Sequence, residues 1–203
     1  MDIVLILLLL ALGWQVLRVR YQRTHIALLG QHLAGLQLEH HIETLTEGYT
    51  RAINEEAETR QLQILDMFAQ TERAAATQAQ SLAKSMQKES RQAASMGSLP
   101  FCLPYAERFL PAATRDFRKL LHIHAAGLRH VVDNEAHWDA KNRAYHLSAE
   151  LYLLQHSCHW FCKSRGVADA RLAVRHKITH QKVLESVSEV TRTAYLQWQQ
   201  HAE

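Results

Sequence analysis

The opening residues, MDIVLILLLLALGWQVLRVRYQR, contain an apolar run that constrains the fold more than any other feature of the chain. From Ile3 to Leu17, only Gly13 and Gln15 interrupt the hydrophobic side chains. A helix of that length extends about 22 Å, and its flanking residues lengthen it toward the roughly 30 Å hydrocarbon core of a bilayer. A signal peptide would have basic residues before the run and a small-residue cleavage site after it, and this sequence has neither. We predict a retained single-pass transmembrane anchor over residues 1–20, with a buried or interfacial helix as the alternative.

The charges that flank this run predict its orientation. Arg18, Arg20 and Arg23 follow it, whereas Asp2 is the only charged side chain before it. Arginines close to an apolar span are retained on the cytoplasmic side of the membrane. We therefore expect the N-terminus outside and everything after Arg23 in the cytoplasm. Three cysteines, an odd number, fit a reducing compartment better than a secreted disulfide framework.

The composition indicates an all-α protein. The 203 residues include only 7 glycines and 3 prolines, and Ala, Leu, Gln and Glu are abundant. The formal net charge is +3, and the three arginines next to the anchor account for most of it. The remainder is close to neutral, which argues against nucleic acid as a partner because that binding needs a strongly basic face.

Residues 21–96 are predicted to form a long helical or coiled-coil segment, since they contain no proline. Two arrangements are open: an unbroken stalk, which we favour slightly, or a helical hairpin that turns at Gly48. Near the end of the segment, small and apolar residues recur at coiled-coil spacing, and they are Ala75, Ala79, Leu82, Met86 and Ala93. Such a seam needs a partner helix, and it is the basis for predicting a homo-oligomer.

Gly97, Pro100, Pro104 and Pro111 then interrupt the helical pattern, and they define a Pro-rich linker over residues 97–112. Beyond it, residues 113–203 are predicted to form an antiparallel helical bundle. Its three helices cover residues 113–132, 138–164 and 167–200.

Features within the bundle mark its turns and its core. Asp133 or Asn134 is expected to end the first helix, and Gly166 to cap the second. The third helix is expected to bury one stripe of residues, namely Ala173, His176, His180, Leu184, Val187, Thr191, Ala194 and Trp198.

The stretch HSCHWFCKS, from His156 to Ser164, is the strongest candidate for chemistry. On a helix, Cys158, His159 and Cys162 share one arc, and two thiolates with one imidazole could be three of the four ligands of zinc. The fourth ligand would come from another helix, and the candidates on apolar stripes are His124, His176 and His180. The alternative, which we favour, is that the two cysteines pack in the core as small hydrophobic residues, with no cofactor.

Other patterns carry less chemistry. The sequence has no Gly-rich phosphate loop, no Gly-x-Ser-x-Gly and no His-Glu-x-x-His, so we do not expect an enzyme. Basic residues gather near the start of the last predicted helix, where they form either a solvated face or a site for an anionic partner or lipid headgroups; they are Lys163, Arg165, Arg171, Arg175 and Lys182.

Three functions compete on these observations. The first is a membrane-anchored scaffold or adaptor that oligomerises and recruits protein partners to the membrane. The second is a metal- or cofactor-binding bundle that acts as a sensor through its Cys and His residues. The third and weakest is a membrane-permeabilising effector.

Overall fold

The computed structural model describes residues 2–200. The first residue of the predicted anchor and residues 201–203 of the predicted bundle lie outside that range. The described chain is mostly helical, as predicted, but it also contains a two-stranded antiparallel sheet. The helices are α1 (Asp2–Leu33), α2 (Leu38–Ile53), α3 (Glu58–Met67), α4 (Ala69–Met86), α5 (Ala106–Phe109), α6 (Phe117–Asp133), α7 (Ala140–Cys162), α8 (Arg165–His176), α9 (His180–Ser186) and α10 (Glu189–Gln200). The strands are β1 (Ser95–Gly97) and β2 (Thr114–Asp116).

Helix α1 continues well beyond the apolar run. It is long and apolar enough to cross a membrane, and the side chains from Ile3 to Leu17 are exposed. In its second half, Gln22, His25 and Leu29 are buried against the rest of the chain. One uninterrupted helix therefore joins an exposed apolar segment to the folded body.

The preferred stalk over residues 21–96 is wrong, because four separate helices occupy this range. Helix α2 packs antiparallel on α4, with Tyr49 bonded to Glu72. Gly48 is not the turn of a hairpin either, since it lies inside α2. A Cβ there would lie 2.1 Å from the ring of Phe68, so the glycine permits close packing where the sequence suggested a break.

The alanine-rich seam is buried inside the chain. Helix α4 packs along α6, and Ala75, Ala79, Leu82 and Met86 are all buried in the core. Since α6 supplies the partner helix that the seam requires, the seam is no longer evidence for a homo-oligomer.

The Pro-rich linker folds back onto the body. Strand β1 pairs with β2 so that Ser95 lies opposite Asp116, and the segment between them contains α5 and a single 3₁₀ turn. Residues on both sides of it, such as Leu82 and Leu121, belong to one hydrophobic core. The division of the chain into domains stays a prediction, but the two predicted parts share their core.

The first two bundle helices lie close to where they were predicted. Asn134, at φ 53°, ends α6 in the left-handed conformation that suits asparagine. Gly166 was predicted wrongly as the cap of the second helix. It lies in the first turn of α8. The N-cap of that helix is Ser164, whose side chain accepts a hydrogen bond from the amide of Val167.

The predicted helix over residues 167–200 is instead three helices, α8 to α10. Lys177 adopts a left-handed conformation at φ 55°, which ends α8. The predicted stripe holds only in part, since Val187, Thr191 and Trp198 are buried as predicted but the buried residues of α8 fall in a different phase. Leu172 and Tyr195 are buried in the core, whereas Ala173 is exposed.

Candidate functional site

Cys158, His159 and Cys162 do share one arc, as predicted. They line a cleft of about 430 Å³ between α7 and the helices α1 and α2. The opposite wall is mostly aliphatic, and its residues are Ile26, Leu29, Leu33, Leu38 and Ile42. The cysteines therefore face hydrophobic side chains, as small apolar residues do.

Burial keeps the thiols and the imidazole of this cleft uncharged near neutral pH. Burial raises the pKa of Cys162 to about 11, and burial together with the neighbouring Cys162 raises the pKa of Cys158 further. Burial, with a smaller contribution from Arg171, lowers the pKa of His159 to about 4. Near pH 7 both thiols are protonated, although zinc ligation and nucleophilic attack need a thiolate.

The three candidate fourth ligands do not line this cleft, although His176 lies close enough to His159 to lower its pKa. Nε2 of His124 lies 2.9 Å from Ser157 Oγ inside the core, and the ring of His176 lies 4.1 Å from that of Tyr152. Nε2 of His180 lies 3.0 Å from the Tyr195 hydroxyl. Among residues 2–200 no group of three or more His, Cys, Asp or Glu side chains could hold a metal ion. The zinc prediction thus gains no support from the geometry.

A buried histidine pair is a feature that the sequence did not single out. Nε2 of His156 lies 2.8 Å from Asp169 Oδ1 on α8, and its ring lies 4.4 Å from the ring of His180 on α9. Burial lowers the pKa of His156 more than the carboxylate of Asp169 raises it. The imidazole is therefore neutral at pH 7 and joins α7 to α8 by a hydrogen bond.

Glu150 is a second buried polar group that sequence reasoning missed. Its Oε1 accepts hydrogen bonds from the amide of Ser188 at 3.1 Å and from the hydroxyl of Ser188 at 2.9 Å. Among the described residues Oε2 has no hydrogen-bond partner. Burial raises the pKa of Glu150 to about 7, against the opposing effect of its hydrogen bonds. The carboxyl group ties α7 to the start of α10, and it changes charge near neutral pH.

A cavity of about 660 Å³ lies between α7, α8 and the loop at Pro100 and Phe101. Arg18 on α1, next to the apolar run, also lines it. Arg171 and Arg175, two of the basic residues that the sequence singled out, line the same cavity. Lys182 lies outside it, and the guanidinium of Arg165 lies over the ring of Trp160 at 5.6 Å. The fold therefore gathers basic residues from two helices that are far apart in sequence.

Comparison with known proteins finds no relative of the chain. No protein-family model matches the chain, and neither a curated protein nor a solved structure gives a significant match. Function is therefore inferred from the geometry of this chain alone.

Proposed function

We propose that the protein is a single-pass membrane scaffold whose helical body is held at the cytoplasmic face of the bilayer and docks a protein partner there. The continuity of α1 is the observation that supports this proposal. The helix runs unbroken from the exposed apolar segment to Leu29, which is buried in the core. A rigid helical connection would hold the body in one orientation on the membrane surface, in contrast to a flexible tether.

The order of contacts along the helices gives the direction in which the body extends. Near the anchor, His25 contacts the carbonyl of Ser95, and two turns later His32 contacts Ser85. Helix α2 runs along α4 in the same direction as α1 does, because His41 contacts Gln78 and Tyr49 contacts Glu72. The connection between α2 and α3 therefore lies at the end of the body farthest from the apolar run.

Three exposed apolar side chains lie on α2 and α3, the helices that meet at this distal end, and a contiguous apolar surface there would favour contact with another protein. Ile53 is 69% exposed and Met67 is 78% exposed, and Leu62 on α3 is also exposed. We call Ile53, Leu62 and Met67 the distal patch, and we propose it as the docking surface.

The cytoplasmic orientation is part of the same proposal, and it rests on Arg18, Arg20 and Arg23. The expectation that the protein is not an enzyme stays a prediction. No observation in the described chain favours the metal sensor or the permeabilising effector. The seam that suggested a homo-oligomer is buried against α6 within the chain, so it no longer supports that prediction.

Site-specific photocrosslinking tests the docking surface in intact cells. A photoreactive residue at Met67 should crosslink to one distinct protein, whereas the same residue at Gln181, which is exposed on α9, should not. The substitution Ile53→Glu should abolish the crosslink, and Thr50→Glu, at an exposed polar position of the same helix, should preserve it. Identical products from Met67 and Gln181, or a crosslink that survives Ile53→Glu, would refute docking at the distal patch.

A further inference from the structure

The 660 Å³ cavity has the size of a ligand site, and it lies at the membrane end of the body. Ligand pockets typically measure about 300–1,000 Å³. Arg18, which lines the cavity, directly follows Leu17, the last residue of the exposed apolar run. In a membrane anchor, arginines at this position lie at the level of the lipid headgroups. The Arg18 end of the cavity therefore lies beside the headgroups if α1 spans the bilayer, so the inference rests on the proposed anchor.

The charges that line the cavity have one sign. Arg18, Arg171 and Arg175 contribute guanidinium groups, and among the described lining residues there is no Asp or Glu. Arg175 forms an ion pair with Glu43, but both side chains are more than half exposed and such pairs exchange readily with other ions. Within the described part of the chain, no acidic side chain forms an ion pair with Arg171. The cavity complements an anion.

The backbone adds to this positive potential. Ser164, Gly166 and Val167, at the start of the 12-residue helix α8, line the cavity. The N-terminal end of a helix carries a partial positive charge, although the amide of Val167 already donates to Ser164 Oγ and makes no contact with a ligand. The amide of Gly166 donates to Pro100 at 2.8 Å, which fixes the loop against α8 and closes one side of the cavity.

The cavity also exposes apolar side chains next to these charges. Phe101 is 56% exposed and Val174 is 71% exposed, and both line the cavity. A free inorganic phosphate makes no favourable contact with such neighbours. A lipid, in which an acyl chain adjoins a charged headgroup, matches both parts of the lining.

We propose that this cavity binds the headgroup of an anionic phospholipid from the bilayer that holds α1. Arg171 contacts the phosphate, Arg18 adds charge at the bilayer side, Arg175 extends the basic lining toward α2, and Phe101 packs against the upper part of the acyl chains. The cytoplasmic leaflet, where we place the body, is the leaflet rich in anionic lipid. Lipid binding at this position would fix the rotation of the body about the anchor.

The full-length protein in lipid nanodiscs tests the proposal. Nanodiscs contain phosphatidylcholine with or without phosphatidylglycerol, and native mass spectrometry after detergent release measures which lipid remains bound. The wild type should retain phosphatidylglycerol in preference to phosphatidylcholine. The double substitution R171Q/R175Q should weaken that retention roughly 20-fold, from the loss of two cations at the surface.

Two further variants separate the cavity from general charge and from misfolding. R51Q/R73Q removes two exposed arginines that do not line the cavity, and it should bind as the wild type does. R171K/R175K keeps both charges and should restore most of the binding. Equal retention of both lipids by the wild type, or unchanged retention by R171Q/R175Q, would overturn the lipid site while leaving the anchor intact. A protein that does not enter nanodiscs at all would overturn the anchor and, with it, the lipid site.

Discussion

Nη1 of Arg143 on α7 lies 2.6 Å from Oε2 of Glu72 on α4, although 71 residues separate the two in sequence. Glu72 is 2% exposed, and its other oxygen accepts a 2.5 Å hydrogen bond from the hydroxyl of Tyr49 on α2. Burial and the adjacent carboxylate both raise the pKa of Tyr49, so the phenol stays protonated and donates. One carboxylate thus joins three helices, two of them from the predicted stalk and one from the predicted bundle.

Removal of the arginine should therefore destabilise the whole body. In R143M, the buried carboxylate of Glu72 keeps only the tyrosine as a partner, and we expect the free energy of unfolding to fall by about 3 kcal/mol. Urea unfolding of the detergent-solubilised chain measures this. The matched variant R129M removes a half-exposed arginine of α6 that pairs with Asp133, and it should cost less than about 1 kcal/mol. Equal effects of R143M and R129M would show that the Glu72 contact does not hold the helices together.

Local features of the fold could be predicted from sequence because they depend on neighbours in the chain. Phe117, Leu121 and Leu128 recur at helical spacing, and all three are buried as expected. The shared arc of Cys158 and Cys162 followed from helix geometry in the same way. The turn at Asn134 followed from its residue type.

Long-range contacts could not be predicted, because periodicity does not say which helix a face will meet. The sequence does not indicate that Glu72 is buried, because its partner Arg143 lies in a distant helix. The breaks at Lys177 and Val187 have no glycine or proline to mark them, so the last helix was predicted as one piece. The basic cavity depends on Arg18 and Arg171 meeting in space, and only their residue types could be read from the sequence.

Gly48 distinguishes the folded arrangement of α2 from an extended stalk. In the structure, a Cβ at this position would overlap the ring of Phe68, so G48A should destabilise the protein by about 1–3 kcal/mol. Gly30 on α1 has nothing within 4 Å of its Cβ position. G30A should therefore stabilise the protein by roughly 0.5–1 kcal/mol through helix propensity. Thermal melts of both variants test this, and stabilisation by G48A would favour an open stalk.

Glu150 should make stability depend on pH near neutrality. The pKa of Glu150 is raised to about 7 in the folded state. Its contribution to stability is therefore fully present below the pKa that Glu150 has in the unfolded chain, and it is lost as the pH rises through 7. E150Q removes this titration. The stability of E150Q relative to the wild type should increase by about 2 kcal/mol from pH 5 to pH 8.5.

The comparison between variant and wild type is needed because other buried groups titrate too. Burial lowers the pKa of His124 to about 3, which costs stability in acid and so opposes the effect of Glu150. Both proteins contain that histidine, so its contribution cancels. If the difference in unfolding free energy between E150Q and the wild type does not change with pH, then Glu150 does not titrate near pH 7.

The thiols of the cleft should react slowly. With its pKa raised to about 11, Cys162 holds roughly 100-fold less thiolate at pH 8 than an exposed cysteine does. Mass spectrometry of iodoacetamide-treated protein should show correspondingly slow alkylation, and urea-unfolded protein provides the reference rate. Addition of a chelator should leave the rate unchanged. A faster reaction after chelation would show that a bound metal had protected the thiol.

Alkaline carbonate extraction of membranes tests the central claim that α1 anchors the folded body in a bilayer. The wild type should stay in the membrane pellet. L8R/L9R places two charges in the middle of the apolar run, at a cost of about 5 kcal/mol or more for insertion, and this variant should appear in the soluble fraction. Leu8 and Leu9 are exposed and lie outside the core, so the released variant should keep the circular dichroism and melting temperature of the detergent-solubilised wild type. Release of the wild type by carbonate would contradict the anchor and every proposal that depends on it.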